Sequence, residues 1–275
     1  MAAPGAAPPA RARMPAPARG SLPACRTKAR MQPILDIRHL TKRFAGLVAV
    51  DDVSFSIAAG EVLGLIGPNG AGKTSIVSLI SGTLPPSGGE ILLAGAPIAR
   101  MPAFRRARLG IGRTFQIMKP FPALDVLDNV AVGALFGSGG RQNHHLARAR
   151  EEAAYWLEFV DMARHARRRA DELGGPDRKR LELAKALAMK PRLLLLDEVM
   201  AGLNHSEIDD VIAIIRKVRD RGITILVIEH VIKAIQSLSD RLLVLHHGQK
   251  IAEGPPDRVL SDPQVIEAYL GRRRA

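Results

Sequence analysis

Residues 67 to 74 read Gly67-Pro68-Asn69-Gly70-Ala71-Gly72-Lys73-Thr74: a glycine, four residues, a second glycine, a lysine and a hydroxyl residue. Glycines let a backbone turn tightly enough to aim successive N–H groups at one anion, and a lysine at this spacing reaches the β- and γ-phosphates of a nucleoside triphosphate. Thr74 offers a hydroxyl ligand for Mg²⁺, and Ser75 extends the row of donors. A second constellation is Leu193-Leu194-Leu195-Leu196-Asp197-Glu198, an apolar run that stops abruptly at two acids. Such a run reads as a buried strand whose carboxyl end opens onto a ligand site. Asp197 then holds Mg²⁺ through water, while Glu198 polarises the attacking water as general base. Met alone, an acid pair after a strand is more often a helix cap. A phosphate loop about 120 positions upstream in the same chain turns the reading toward catalysis. His230 also ends an apolar run, Ile223 to Glu229, where an imidazole can hydrogen-bond the γ-phosphate and the attacking water. Gln116, in Arg113-Thr114-Phe115-Gln116, sits where a patterned strand gives way to helical spacing.

These residues need a scaffold, and hydropathy supplies one. Strand-like runs at Ile34 to Ile37, Val53 to Ile57 and Glu61 to Ile66 precede a helical pattern from Lys73 to Ile80, and a short strand pair lies near Glu90 to Leu93. The strand running into the loop and the helix running out of it place the positive helix end at the phosphates. From Leu124 to about Arg169 the spacing is helical throughout, at Val126, Leu127 and Val130 and again at Ala153, Trp156, Leu157 and Val160. This is a helical insertion, bounded at about residues 117 to 175. Beyond it the sequence predicts a helix over Arg178 to Met189, the strand Leu193 to Leu196, a helix near Ser206 to Asp220, the strand Ile223 to Ile228 and a strand pair around Leu242 to Ile251. Short apolar strands between helices imply an α/β fold with a mainly parallel, buried sheet. No internal repeat is visible.

Composition narrows the class. The 275 residues are 47% hydrophobic, enough for a sizeable core, and Cys25 is the only cysteine, which excludes a disulfide framework and a multi-cysteine zinc site. No apolar run approaches the roughly 20 residues that span a bilayer, so any membrane role is peripheral. The formal charge of +13 suggests a polyanion partner until it is located. Six uncompensated basic residues lie in residues 1 to 30 and three more are Arg272, Arg273 and Arg274, which leaves the body only mildly basic. The expectation is two solvated tails and no nucleic-acid partner. Residues 1 to 30, rich in Ala, Pro, Gly and Arg, cannot bury enough surface to order and read as a disordered tail, with 272 to 275 as a basic one. The first tail has the acid-free look of a transit peptide, and a start codon assigned too early accounts for it equally, since Met31 opens directly into Ile34-Leu35-Asp36-Ile37.

Taken together, these motifs resemble the nucleotide-binding subunits of ATP-binding cassette transporters, from Ile34 to Gly271. The resemblance implies a phosphate-loop NTPase core with a mainly parallel sheet, an antiparallel β subdomain and the inserted helical subdomain. It implies ATP and Mg²⁺ as cofactors, with Phe44 stacking on adenine, Gly67 to Thr74 as phosphate loop, and Gln116 as a metal-contacting glutamine. Asp197 and Glu198 take the roles of metal and catalytic acids, and His230 that of switch histidine. Arg113-Thr114-Phe115-Gln116, Ala201-Gly202-Leu203-Asn204, Ile228-Glu229-His230 and Glu267-Ala268-Tyr269-Leu270-Gly271 look like the branched-chain amino acid uptake group. That membership implies two membrane-spanning permease subunits, a second cassette subunit, a solute-binding protein acting indirectly, and a place at the cytoplasmic face of the plasma membrane.

One family element departs. The signature loop, usually Leu-Ser-Gly-Gly-Gln, reads Leu173-Gly174-Gly175-Pro176-Asp177. In the family's head-to-tail dimer this loop caps the partner's nucleotide. Gly174 has no hydroxyl and Pro176 no N–H, so two expected hydrogen bonds are lost in that register. A heterodimer with an undamaged partner is therefore expected over a homodimer. Two other readings compete: a soluble cassette ATPase of translation or DNA repair, which usually fuses two cassettes, and an exporter or lipid-transport ATPase, for which Arg113 to Gln116 and Glu267 to Gly271 are poor matches.

Overall fold

The computed structural model describes residues 33–114, 120–138 and 145–270. Both tails, 1 to 30 and 272 to 275, and Gln116 lie outside the described residues. The apolar runs become strands as their patterning predicts. β1 (Leu35–Phe44) and β2 (Leu47–Ile57) pair antiparallel, and β3 (Val62–Ile66) runs into the phosphate loop, from which α1 (Lys73–Ser81) emerges. Then come β4 (Gly88–Leu93), β5 (Ala96–Pro97), α2 (Ala103–Arg108) and β6 (Ile111–Arg113). The insertion follows with α3 (Val126–Phe136), α4 (Leu146–Phe159) and two short 3₁₀ turns, and α5 (Gly175–Ala188) leads out of it. The chain closes with β7 (Leu193–Asp197), α6 (His205–Asp220), β8 (Thr224–Ile228), α7 (Ile232–Leu238), β9 (Arg241–His246), β10 (Gln249–Gly254), α8 (Pro256–Leu260) and α9 (Pro263–Leu270).

Two sheets result. One is antiparallel, in the order β2-β1-β4-β5; the other runs β10-β9-β3-β8-β7-β6 and is parallel except for the β9–β10 hairpin. The parallel strands β3, β7, β8 and β9 are buried on both faces and divide their side chains between two cores. Val62, Leu194, Leu196, Ile225, Val227, Leu242 and Val244 pack with the insertion helices and α6. The alternate residues Leu63, Leu65, Leu193, Leu195, Leu226, Leu243 and Leu245 pack with α1 and the antiparallel sheet. The period of two along a strand makes this division unavoidable once both faces are covered.

Some boundaries differ from the sequence reading for identifiable reasons. β2 starts at Leu47 instead of Val53: the acids Asp51 and Asp52 separate the apolar Leu47-Val48-Ala49-Val50 from the Val53 to Ile57 run, but pairing with β1 carries one strand through both. α5 starts at Gly175, three residues before the expected Arg178, because Pro176 sits in its first turn, where a missing N–H costs nothing. Asn204, where many cassettes have aspartate, caps α6: its side chain accepts the Glu207 N–H at 3.0 Å while Glu207 accepts the Asn204 N–H at 2.9 Å.

The far end of α1 has its own support. Arg106, 1% exposed, donates to the carbonyls of Leu79 at 2.5 Å and Ile80 at 2.9 Å in the last turn of α1, and to those of Ala99 and Met101. It places a buried cation at the negative end of the helix whose other end meets the phosphate loop. Gly82 closes α1 with φ +81, and a β-carbon there would lie 2.7 Å from the Arg106 guanidinium, so glycine is required twice over.

Candidate functional site

A cleft of about 920 Å³ opens where β3, β7 and β8 end. It is lined by Asn69 to Ser75 of the phosphate loop, by Phe44, Leu47, Val48 and Ala49 of the β1–β2 hairpin, by Glu198 and His230, and by His247. The loop's shape is set by glycines at left-handed torsions, Gly70 at φ +79 and Gly72 at φ +102; a β-carbon on Gly72 would press on the Ala49 carbonyl. Lys73 is 6% exposed and donates to the carbonyls of Gly67 at 2.7 Å and Pro68 at 2.9 Å. Burial lowers its pKa from the ordinary lysine value, and the Glu198 and Asp197 carboxylates work against that.

Asp197 ends β7 with its carboxylate fully buried. Burial raises its pKa, opposed by Arg113, whose Nη2 stands 3.3 Å from Oδ2. The same guanidinium bonds the hydroxyls of Ser78, Ser81 and Thr83, so Arg113 ties the acid strand to the end of α1. The other carboxylate oxygen, Oδ1, is buried and has no hydrogen-bond partner among the described residues. An orphaned carboxylate oxygen in a cleft with a threonine hydroxyl and a phosphate cradle fits an oxygen-seeking cation such as Mg²⁺. Among the described residues no cluster of three or more His, Cys, Asp or Glu is assembled.

Glu198 is held in a backbone conformation rare outside glycine, with φ +53. Its N–H donates to the Ile228 carbonyl at 3.0 Å, and its carboxylate lies 2.6 Å from His230 Nε2. Because a carboxylate only accepts, this bond requires the imidazole proton on Nε2. A strained backbone retained at a cleft carboxylate is the kind of cost that persists where geometry serves chemistry. The sequence-predicted Phe44 ends β1, 43% exposed, with the Lys42 ammonium 4.9 Å from its ring centroid. Leu173, Gly174, Gly175, Pro176 and Asp177 do not line the cleft; Gly174 caps α5, and Asp177 stands in the first turn, 3.5 Å from His165.

Sequence reasoning missed three groups that organise this region. One is Arg113. The others are Glu229 and Lys179, which clamp the segment after Glu198: Glu229 Oε1 accepts the Met200 N–H at 2.8 Å, and the Lys179 ammonium donates to the Ala201 carbonyl. Glu229 reads in sequence as the polar end of a strand, yet it is 2% exposed, and burial pushes its pKa up to about 7 despite the Met200 N–H and Lys179. A group whose folded pKa exceeds its unfolded value of 4.5 favours folding fully below that value, and the contribution is lost as pH rises toward 7. The loss is about 3 kcal/mol. Glu229→Gln keeps an acceptor for Met200 but cannot ionise. Thermal melts of both proteins from pH 5 to pH 8 should show the variant gaining on the wild type with each step up to pH 7, then a constant gap; parallel curves would contradict the buried carboxylate.

An apolar strand, a glycine-rich loop and a helix that together present N–H groups and a lysine to a cleft define a phosphate-loop nucleoside triphosphatase. Residues 50–201 match the ABC transporter family, and residues 249–275 match the family described as branched-chain amino acid ATP-binding cassette transporter. The chain is 38% identical over 252 residues to the high-affinity branched-chain amino acid transport ATP-binding protein BraF of Pseudomonas aeruginosa, and likewise to LivG of Escherichia coli K12; each alignment covers 87% of this chain and 98% of the relative. A crystal structure of an ATP-binding cassette of an ABC transporter in its ADP conformation superposes with a TM-score of 0.79 at 31% identity, covering 87% of this chain and 99% of that one. The chain belongs to the ABC transporter family, as an ATP-binding, ATP-hydrolysing cassette. No helix among the described residues is long and apolar enough to cross a membrane.

Proposed function

We propose that this chain powers the import of branched-chain or related amino acids through two separate membrane-spanning permease subunits, from the cytoplasmic face of the plasma membrane. The observation that carries this reading is the match of residues 249–275 to the branched-chain amino acid cassette family, on a chain alike over its length to two amino acid transport ATP-binding proteins. A second, non-identical cassette subunit completes the nucleotide sites, and a solute-binding protein delivers the amino acid to the permease.

In this reading Phe44 stacks on adenine, the N–H groups of Asn69 to Ser75 hold the phosphates, and Lys73 exchanges its two loop carbonyls for phosphate oxygens. Thr74, Asp197 and Gln116 would hold Mg²⁺, which would neutralise phosphate charge when bound. Glu198 takes the proton of the attacking water, and His230, which shares a hydrogen bond with it, keeps the carboxylate aimed and then meets the γ-phosphate. Positioning and electrostatics suffice for phosphoryl transfer to water. The test is reconstitution of the chain with its permease subunits, binding protein and second cassette in vesicles. Labelled leucine should accumulate only with ATP on the cassette side, and Lys73→Ala should remove both accumulation and nucleotide binding. Transport of a different solute class, or a complex that copurifies with ribosomes or DNA in place of permease subunits, would displace the reading.

A further inference from the structure

The phosphate loop is tied to the chain's last helix through one side chain. The Gly67 N–H donates to the Tyr269 hydroxyl at 2.7 Å. Gly67 follows the last residue of β3 and takes φ +149, tight against the Leu245 carbonyl, where a β-carbon would collide. At that point its N–H has left the strand ladder, and a buried amide donor left without a partner costs about 1 to 3 kcal/mol. Tyr269 supplies the partner from α9. That helix is fixed one turn earlier by Val265, 3% exposed in the core shared with the insertion helices, and residues four apart share a helix face. Burial raises the Tyr269 pKa from its usual value, so the hydroxyl stays neutral across the physiological range.

Gly67 is bonded at both ends. Its N–H meets Tyr269, and its carbonyl accepts the Lys73 ammonium at 2.7 Å. The tyrosine hydroxyl is thus two hydrogen bonds from the lysine that faces the phosphates. We infer that Tyr269 is a positioning residue of the nucleotide site, holding the entry of the phosphate loop from the C-terminal helix so that Lys73 and the loop N–H groups meet ATP preformed. Preorganisation of this kind acts on binding, because the ordering it supplies is otherwise drawn from the binding energy. The inference rests on the reading of residues 67–74 as the ATP phosphate loop.

Tyr269→Phe keeps the ring and removes the hydroxyl. In the full complex the ATP concentration for half-maximal hydrolysis should rise about five- to tenfold with kcat within about twofold. A merely structural loss would lower the amount of active protein and leave that concentration unchanged. The chain has two tyrosines, Tyr155 and Tyr269, so 3-fluorotyrosine labelling gives two fluorine resonances that Tyr155→Phe assigns. ATP should shift the Tyr269 resonance and leave that of Tyr155, which lies in α4 and does not line the cleft, in place. An unchanged ATP requirement in Tyr269→Phe, alongside normal binding by the wild type, overturns this inference alone. A wild-type chain that binds no ATP overturns the phosphate-loop reading with it. If Tyr269→Phe does not fold, the fluorine spectrum of the wild type decides: a Tyr269 resonance indifferent to ATP refutes the link.

Discussion

Glu198→Gln is expected to leave ATP binding intact and to cut steady-state hydrolysis by about 10²- to 10⁴-fold, the range for loss of a positioned general base. The amide is isosteric with the carboxylate, and its oxygen can still accept from His230 Nε2, now 2.6 Å away, so the shape of the cleft survives. The unusual φ of +53 belongs to the backbone and is the same for either side chain. Basicity is what disappears. Nucleotide affinity and turnover, measured together in the assembled complex, separate the two consequences, and wild-type turnover would remove Glu198 from the chemistry. The same substitution made in the second cassette tests asymmetry. In the proposed head-to-tail dimer the ATP on Lys73 would be capped by the other subunit's signature loop, while Leu173 to Asp177 would cap the other subunit's ATP. Gly174 and Pro176 lack two donors there, and Asp177 adds a carboxylate to the first turn of α5, where a phosphate would sit. The heterodimer reading therefore expects the change at Glu198 to stop hydrolysis and the equivalent change in the other subunit to matter little. Equal losses would sink it.

Arg106→Met should lower global stability by about 3 to 5 kcal/mol, because four carbonyls lose their donor inside the protein and the helix end loses its cation. For a domain of this size that is a fall of about 10 °C in melting temperature. The methionine fills most of the volume, so the loss reports polar satisfaction more than a cavity. Arg106→Lys should recover only part of it, since one ammonium cannot reach carbonyls as far apart as Leu79 and Met101 as a guanidinium fork does. Denaturant titrations of the three proteins give the comparison. A cost below about 1 kcal/mol for Arg106→Met would mean that water replaces the guanidinium at the end of α1.

The groups that touch nucleotide in the proposed site were the most legible in the sequence. Gly67 to Thr74, Asp197 and Glu198 declare themselves through spacing at the ends of apolar runs, and the structure gathers Lys73, Glu198 and His230 around one cleft. Strands buried on both faces were legible for the same reason: β3 and β8 coincide with their hydropathy runs to within a residue. What stayed hidden are partners joined by tertiary structure alone. Arg106 sits in a basic stretch, Arg105-Arg106-Ala107-Arg108, with nothing to mark which arginine turns inward. Glu229 looks like a rim residue beside His230, and its burial follows from the segment after Glu198 folding over it. Tyr269 lies some 200 residues from the amide it satisfies, and no local pattern encodes such a pairing.

The division of alternate strand residues between two cores bears on how the chain comes off the ribosome. β3, with the phosphate loop at its end, is made early, but both of its neighbours in the sheet, β8 and β9, come from the last fifth of the chain. Until these emerge, Leu63 and Leu65 on one side and Val62 and Ile66 on the other have no strand to lie against, and the Leu245 carbonyl that shapes Gly67 does not exist. Pairings this distant in sequence form late and slowly. The nascent polypeptide therefore carries a complete nucleotide-binding motif through most of its synthesis without the architecture to use it, and a product truncated before residue 241 is left with apolar strands open on an unfinished sheet, material for proteolysis instead of a slow ATPase.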